Sequence, residues 1–512
     1  MIWLLRIDVA GRTWYLASES CEPEQAGDPI AHHGTLTVSG FGEGIEIGGG
    51  VSGPCTMDCS FHLGEDGWAL FRDGHRLDGS AAEVSLWRPG TTYAERYVLL
   101  TGRVDADGQI PLSGEPIEVT ISAPLIENAN TWPPASDVIT TTAWPNVLAD
   151  DEGTDLVGQP YPWPLGKLGD YIDEDGTAKF TSTTEVLIVD GTGAAEVGCV
   201  AGAPVGATTV SVWNSVDRNS HTFTVDTTID GDGAPRATID LSTAPGGWVL
   251  DGSEPLYVRS WGAGGLLSDF RDGPVVGLGD AILTLLLRRY GDDGPEVVDV
   301  GSWLAMSYVL NAWEVGLIVE AGVDPLDTIT GDLLPLCPAL WIVGGPAGFR
   351  PIYLGEVPGA LCRRLEVGRD IFVSSEAPGL AAIQPLNSCT VSFAPSTAYQ
   401  VYRGVTTADT TNHASANPSV TRHGARQETF ETKATFDRGT AALMATESIR
   451  TRWTPPIFIV YDAPADVALE LTLGERVRLV DPDRDLADQT AWILSRETTD
   501  GENWTITVIG MW

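Results

Sequence analysis

The chain has 512 residues, more than one hydrophobic core organises at roughly 100–200 residues per domain, so about three or four domains are expected and a single compact enzyme domain is not. It is 43% hydrophobic and 20% charged with a mean hydropathy of +0.01, and its 58 glycines and 33 prolines follow no Gly-X-Y period, which excludes a disordered tail, collagen and a long coiled coil. Seventy acidic against 30 basic residues leave a net charge of −40, which excludes phosphate neutralisation, and specific nucleic-acid binding with it, as the main business of the chain.

The first 125 residues alternate in period two between turns. Strands are expected at Trp3–Val9, Thr13–Leu16, Thr35–Val38, Met57–Leu63, Val84–Trp87, Tyr97–Val104 and Ile117–Ile121, spaced as in an antiparallel barrel or sandwich. The apolar start Ile2–Leu5 is cut by Arg6 and Asp8, far short of a secretion signal or a membrane span. From about 126 to 165 the pattern gives way to Asn, Pro, Trp and acid, including Asp150–Asp155, and reads as a long surface connection. Strands resume at Glu185–Val189, Thr208–Trp213, His221–Val225, Ala237–Leu241 and Leu256–Val258, a second β domain ending near 270.

Between 271 and 365 the period becomes helical. Asp280 is expected to cap a helix carrying Ile282, Leu283 and Leu285–Leu287, with Arg288 and Arg289 at its negative end before Gly291. Ser302 is expected to start a second helix, and Asp324-Pro325 a third that Pro335 stops. Trp341–Val343 then turns through Gly344-Gly345-Pro346 into Phe349–Leu354, a hairpin. Residues 366–512 return to strands, most clearly Arg476–Val480, Thr490–Arg496 and Trp504–Ile509. The expected fold class is mainly β with a smaller α+β module, in four units: 1–125, 126–270, 271–365 and 366–512.

Motifs that carry chemistry are scarce in the chain. There is no Gly-x-Ser-x-Gly elbow, no phosphate loop and no His-Glu-x-x-His helix. The cluster Gly40-Phe41-Gly42-Glu43-Gly44 lacks the strand-then-helix context of a dinucleotide site and reads as turns. His32 and His33 are adjacent, point apart and read as loop residues; Cys55 and Cys59 read as buried thiols in a strand. The seven cysteines contain no Cys-x-x-Cys pair, so no disulfide scaffold is expected. Asp230-Gly231-Asp232-Gly233 begins like a calcium loop, but Pro235 stands where the sharp-turn glycine belongs, leaving a hairpin turn; Asp173–Gly176 reads the same way. Asp481-Pro482-Asp483-Arg484-Asp485 reads as solvated loop acids. No catalytic, cofactor-binding or metal-ligating residue is assigned, and no enzyme is expected.

One order of motifs resembles a known family. Asp280–Tyr290, then Leu310-Asn311-Ala312-Trp313-Glu314-Val315-Gly316, then Leu333–Leu336, then Gly345–Ile352, is similar to the central module of the tail-tip (baseplate) hub proteins of long-tailed bacteriophages and phage-like particles. Pro160–Gly166 is similar to that family's Tyr-Pro-x-x-x-Gly segment, and Leu473–Leu479 to its last barrel. The resemblance covers about residues 160–512. It implies a homotrimeric virion protein with two tube-like barrels per subunit, set at the distal end of the tail tube. Its implied partners are further copies of itself, distal tail and tube proteins and a central spike or fibre, with genomic DNA only as passing cargo, no cofactor and no membrane span. Two alternatives stand beside it. One is a secreted multidomain β protein that binds or hydrolyses polysaccharide, for which 17 tryptophans would serve; the other is an effector or adhesin of a contractile injection system.

Overall fold

The computed structural model describes residues 1–25, 28–45, 51, 56–62, 75–106, 116–122, 130–145, 147, 156–179, 181, 183, 185–190, 197–214, 220–244, 256–261, 264–291, 294–345, 348–355, 362–376, 378–380, 383–414 and 416–510. The fold is mainly β, with 46% strand and 18% helix, and multidomain. Three of its sheets curl until their edges meet.

The first sheet has eight strands in the order His33–Gly34, Arg12–Ala17, Ile2–Val9, Ala81–Trp87, Tyr97–Asp105, Ile117–Ser122, Thr56–Phe61, Thr37–Val38. Its two outermost strands are separated in sequence by Thr35 and Leu36 alone. One stretch of chain therefore pairs with Leu16–Ala17 on one edge and with Cys59–Ser60 on the other, and the sheet closes on itself. Closure removes exposed edges. Alternation directs Leu5, Ile7, Phe61, Val84, Leu86, Val119 and Ile121 into the interior.

The second curled sheet has six strands, from Leu187–Asp190 through Val197–Ala201, Pro235–Asp240, Ser220–Ile229 and Thr209–Asn214 to Leu256–Ser260. Its edges meet where Val186 N donates to Leu256 O at 2.7 Å. The expected surface connection before it is corrected in part: residues 130–145 and 147 are not a bare loop. Ile139, Trp144 and Val147 are buried with Tyr161, Leu187, Val189 and Cys199 in a small core of their own. Apolar residues scattered in a polar stretch carry no period, yet each finds a place against the barrel wall. Asp150–Asp155 lie outside the described residues.

The helical module has the expected helices, with two caps displaced and the third helix shortened: its α-helical part ends at Thr328, and Pro335 does not stop it but lies inside a later 3-10 turn, Leu334–Leu336. The long helix runs Leu278–Tyr290 with Gly277 at its N-cap, so Asp280 does not cap it but lies buried in the first turn. Asn311 Nδ2 donates to Asp280 Oδ2 at 3.0 Å, and a Cβ at Gly277 would overlap the Asn311 side chain. That packing is a physical reason for the Leu-Asn-x-Trp motif: its asparagine fastens the start of the leucine-rich helix. The second helix, Val300–Leu310, is capped by Asp299, which accepts from Ser302 N at 3.0 Å, so Ser302 is the third helical residue and not the cap. Asp324 caps Pro325–Thr328 as its position before proline requires, accepting from Leu326 N at 2.9 Å. The hairpin pairs Leu340–Gly345 with Gly348–Tyr353; Pro346 lies outside the described residues.

Among its described residues the last region holds two helices of more than one turn that its strand-rich pattern does not show, Ala416–His423 and Arg438–Arg452. The buried stripe of the longer one is Thr440, Ala441, Met444, Ala445, Ser448 and Ile449, too small and polar to register as amphipathic. It covers one face of a three-stranded sheet, Val401–Ala408, Ser388–Ser396, Gln427–Glu431.

Candidate functional site

The third curled sheet also has eight strands, and two features of it concern function: how it joins the first sheet and what it leaves open. Arg363–Glu366 lies on one edge, parallel to Arg476–Asp481; Leu486–Thr498, Asn503–Gly510 and Ile457–Pro464 follow; Phe372–Val373 lies on the far edge beside Gly379–Leu380. The eighth strand comes from the other end of the chain. Phe41–Gly44 pairs antiparallel with Ser495–Thr498, where the 13-residue strand Leu486–Thr498 runs past its partner Arg476–Asp481. The glycine cluster is thus a strand and not a set of turns. Glycine is what fits there: a Cβ at Gly40, whose φ is +126°, would stand 2.8 Å from the Thr498 carbonyl oxygen, and one at Gly44 would stand 3.2 Å from the Ser495 Cβ.

A buried ion pair locks this strand. Glu43 and Arg496 face each other in register and are both 8% exposed. Arg496 Nε donates to Glu43 Oε1 at 2.6 Å, and its Nη1 donates to Ala468 O at 3.0 Å and to Leu471 O. The carbonyl bonds satisfy both Nη1 donors, and Nη2 donates to Glu43 Oε1 as well, as a buried arginine demands. Phe41 packs on Trp504 with ring centroids 5.9 Å apart, the N-terminal amine meets Glu502 at 2.9 Å, and Gly501 sits against Leu86 and Trp3 of the first sheet. The two eight-stranded sheets consequently share one continuous hydrophobic core.

His32 is buried with its Nδ1 3.0 Å from Ile30 O and its ring 5.1 Å from that of Tyr15; burial lowers its pKa. His33 is exposed on the opposite side of the strand. Cys59 is buried, with its thiol pushed up to about 12 by burial, and Cys55 lies outside the described residues. Asp230 is buried at a hairpin turn, where it accepts from Asp232 N, Ala234 N and Arg236 Nε. Arg236 also reaches Asp137 at 2.7 Å and lies over the Tyr161 ring at 4.0 Å, so these polar groups tie the connecting segment to the second barrel. Asp173 organises the turn Asp173–Gly176 and pairs with Lys179 at 2.7 Å. Asp481 contradicts the reading as a solvated acid. It is fully buried, accepting from Tyr461 Oη at 2.7 Å and Arg484 Nη1 at 2.7 Å. Among the described residues no group of three His, Cys, Asp or Glu side chains is gathered to hold a metal ion, and no helix is long and apolar enough to cross a membrane.

Two motif glycines also have a geometric cause. Gly166, at φ +84°, ends the strand Trp163–Gly166 that pairs with Gly316–Val319, and a Cβ there would overlap the Val315 carbonyl. Gly474, at φ +74°, lies against Ile352 of the hairpin. Trp313 meets the Tyr353 ring at 5.9 Å, tying Leu-Asn-x-Trp to the same hairpin.

No family model matches the chain, and no curated protein matches it. Among solved structures it is similar to the tail protein from Neisseria meningitidis MC58, with 10% identity, a TM-score of 0.38, and 99% of this chain and 96% of that one covered. It is similar to a chain of the virion of a native gene transfer agent particle, with 12% identity, a TM-score of 0.41, and 68% and 88% covered. It is similar to prophage tail protein gp18 from Listeria monocytogenes EGD-e, with 11% identity, a TM-score of 0.26, and 60% and 89% covered. The chain resembles phage tail and virion proteins. At these identities and TM-scores no residue's role passes from them to this chain.

Proposed function

We propose that this chain is a structural virion protein: three copies form the hub at the distal end of a phage tail tube, adapt the sixfold tube to a threefold tip, and attach a central spike or fibre, with DNA passing through. The observation that carries this reading is the pair of eight-stranded curled sheets fused by the Phe41–Gly44 strand. A symmetry adaptor needs one chain to present two similar barrels at a fixed spacing, so that three chains offer six docking faces to a sixfold tube. The helical module and the six-stranded barrel then make the subunit's remaining units, which we divide at about 125, 270 and 365.

The excess of acid fits the same role. A conduit wall of like sign to DNA repels phosphate and releases its cargo, the inverse of a basic groove. Copies each carrying −40 repel over a Debye length of about 8–10 Å at physiological salt, so ring formation strengthens as ionic strength rises. The role is non-catalytic. A polysaccharide-binding protein would display aromatic platforms, whereas 12 of the 14 tryptophans among the described residues are buried and the other two, Trp14 and Trp453, are half-buried. Native mass measurement is the test: a mass near three chains is expected, and a strict monomer at high concentration with and without tail proteins overturns the reading. Robust hydrolysis of cell-wall glycan by the purified protein, lost on mutation of one carboxylate, overturns the non-catalytic part.

A further inference from the structure

The three-stranded sheet is covered on one side only. Gly404, Thr406 and Ala408 of its outer strand are buried under the helix Arg438–Arg452, while Val401, Arg403, Val405 and Thr407 alternate onto the other side, where Val401 is 49% and Val405 56% exposed. Directly paired residues extend this open face across the sheet as Val405–Ser392–Glu431 and Thr407–Thr390–Thr429. Its free edge is already in use: Arg403 O accepts from Tyr171 Oη, and Thr407 O from Asn412 Nδ2 at 2.8 Å. An added strand is therefore blocked, and what remains available is the face.

The charge of this module sets it apart. Residues 387–438 carry five basic against four acidic residues, a net of +1 in a chain of −40. Arg403, Arg422 and Arg426 are exposed, and among the described residues no carboxylate pairs with them. A complementary surface exists on the third curled sheet. Phe372, Asp462, Thr505 and Glu497 stand in one row across four strands and open on a hollow of about 880 Å³. Phe372 and Val373 are 49% and 44% exposed, and Asp462 and Glu497 are exposed acids with no basic partner among the described residues.

The two surfaces cannot meet within one chain. The module springs from the Ile457 end of the strand Ile457–Pro464, where Leu386 N donates to Arg452 O at 2.9 Å, while the acidic row crosses it near the Pro464 end. At about 3.3 Å per residue the two ends of that strand are roughly 20 Å apart. Complementary surfaces held apart on one subunit are the arrangement that a head-to-tail ring uses. We propose that the open face bearing Val401, Arg403 and Val405 docks on the Phe372–Asp462–Glu497 row of a second copy of this chain. This deepens the ring reading and rests on it.

The full chain, purified, tests the docking by native mass spectrometry and light scattering across a concentration series. Arg403→Glu, or Asp462→Arg with Glu497→Arg, is expected to weaken self-association about tenfold or more. Chains carrying R403E mixed with chains carrying D462R are expected to regain association. Both positions are exposed, so unchanged melting curves report intact folding; Val405→Cys with Phe372→Cys is expected to give disulfide-linked ladders between copies. Wild-type rings that form equally well with either reversal, and cysteines that never cross-link, overturn this docking and leave the ring reading standing. A wild-type chain that is monomeric throughout overturns both.

Discussion

The two eight-stranded sheets close by the same device and differ in who supplies the last strand. In the first, His33–Val38 pairs with both edges, so the barrel is made entirely of neighbouring sequence. In the third, the segment Arg363–Val373 likewise reaches both edges, but a gap along Leu486–Thr498 is filled by Phe41–Gly44 from the other end of the chain. The first barrel is local in its strand pairing and the third depends on the first. Fusion of this kind holds two barrels at one spacing, which a covalent linker alone does not.

Breaking the buried pair is the strongest way to separate the barrels. Glu43→Ala leaves Arg496 uncompensated among Ala468 and Leu471 carbonyls and is expected to cost about 3–5 kcal/mol. Calorimetry is expected to resolve the single transition of this region into two. Replacing both residues, Glu43→Leu with Arg496→Met, is expected to restore much of the loss, because no buried charge is stranded. Equal losses for the single and the double variant would show that the ion pair is not what couples the sheets.

Next come two core truncations of similar size. Phe41→Ala removes a ring packed on Trp504, and Leu36→Ala removes a side chain from the closing segment of the first sheet; each is expected to cost about 2–5 kcal/mol. Hydrogen exchange distinguishes them. Phe41→Ala is expected to loosen strands of both barrels, Leu36→Ala mainly those of the first.

Acid sharpens the contrast further. Burial lowers the pKa of His32, so its contribution to the first barrel is complete above the unfolded value of about 6.5 and declines as pH falls below it. In the third barrel burial raises the pKa of Asp481, but the hydrogen bonds from Tyr461 and Arg484 outweigh it and leave the carboxyl below its ordinary value. Its contribution is present above the unfolded pKa of about 3.9 and is lost only below that. Tryptophan and amide signals followed from pH 7 to 3 are expected to change first around Tyr15, His32 and Tyr93; simultaneous loss in both barrels would contradict the assignment. The smallest effect is Glu502→Gln, within about 1 kcal/mol, since its pair with the N-terminal amine is exposed.

Much of this was legible in the sequence, and the exceptions have causes. Period-two alternation marks Ile2–Val9, Ala81–Trp87, Tyr97–Asp105 and Asn503–Gly510, because one face of each lies in the core along most of its length. Asp324-Pro325 marked its helix start, because cap and proline act locally. The strand Phe41–Gly44 was hidden, since its strand character comes from Ser495–Thr498, more than 450 residues away, and glycine says only that the backbone comes close to something. The helix Arg438–Arg452 was hidden by its small buried residues, and Asp481 by a loop of acids in which only the tertiary partner Tyr461 distinguishes the buried one. The open face of Val401–Ala408 was not legible, because which side of that strand lies open depends on where the helix Arg438–Arg452 packs.

In the proposed hub, one chain carries two fused barrels so that three chains present six. Electron microscopy of the purified protein viewed down the ring axis tests it most directly. Three copies and six similar barrels alternating around an open channel are expected, with each Phe41–Gly44 strand joining the two barrels of one chain. A ring with any other number of copies, or barrels of one chain set apart with that strand unpaired, would contradict it.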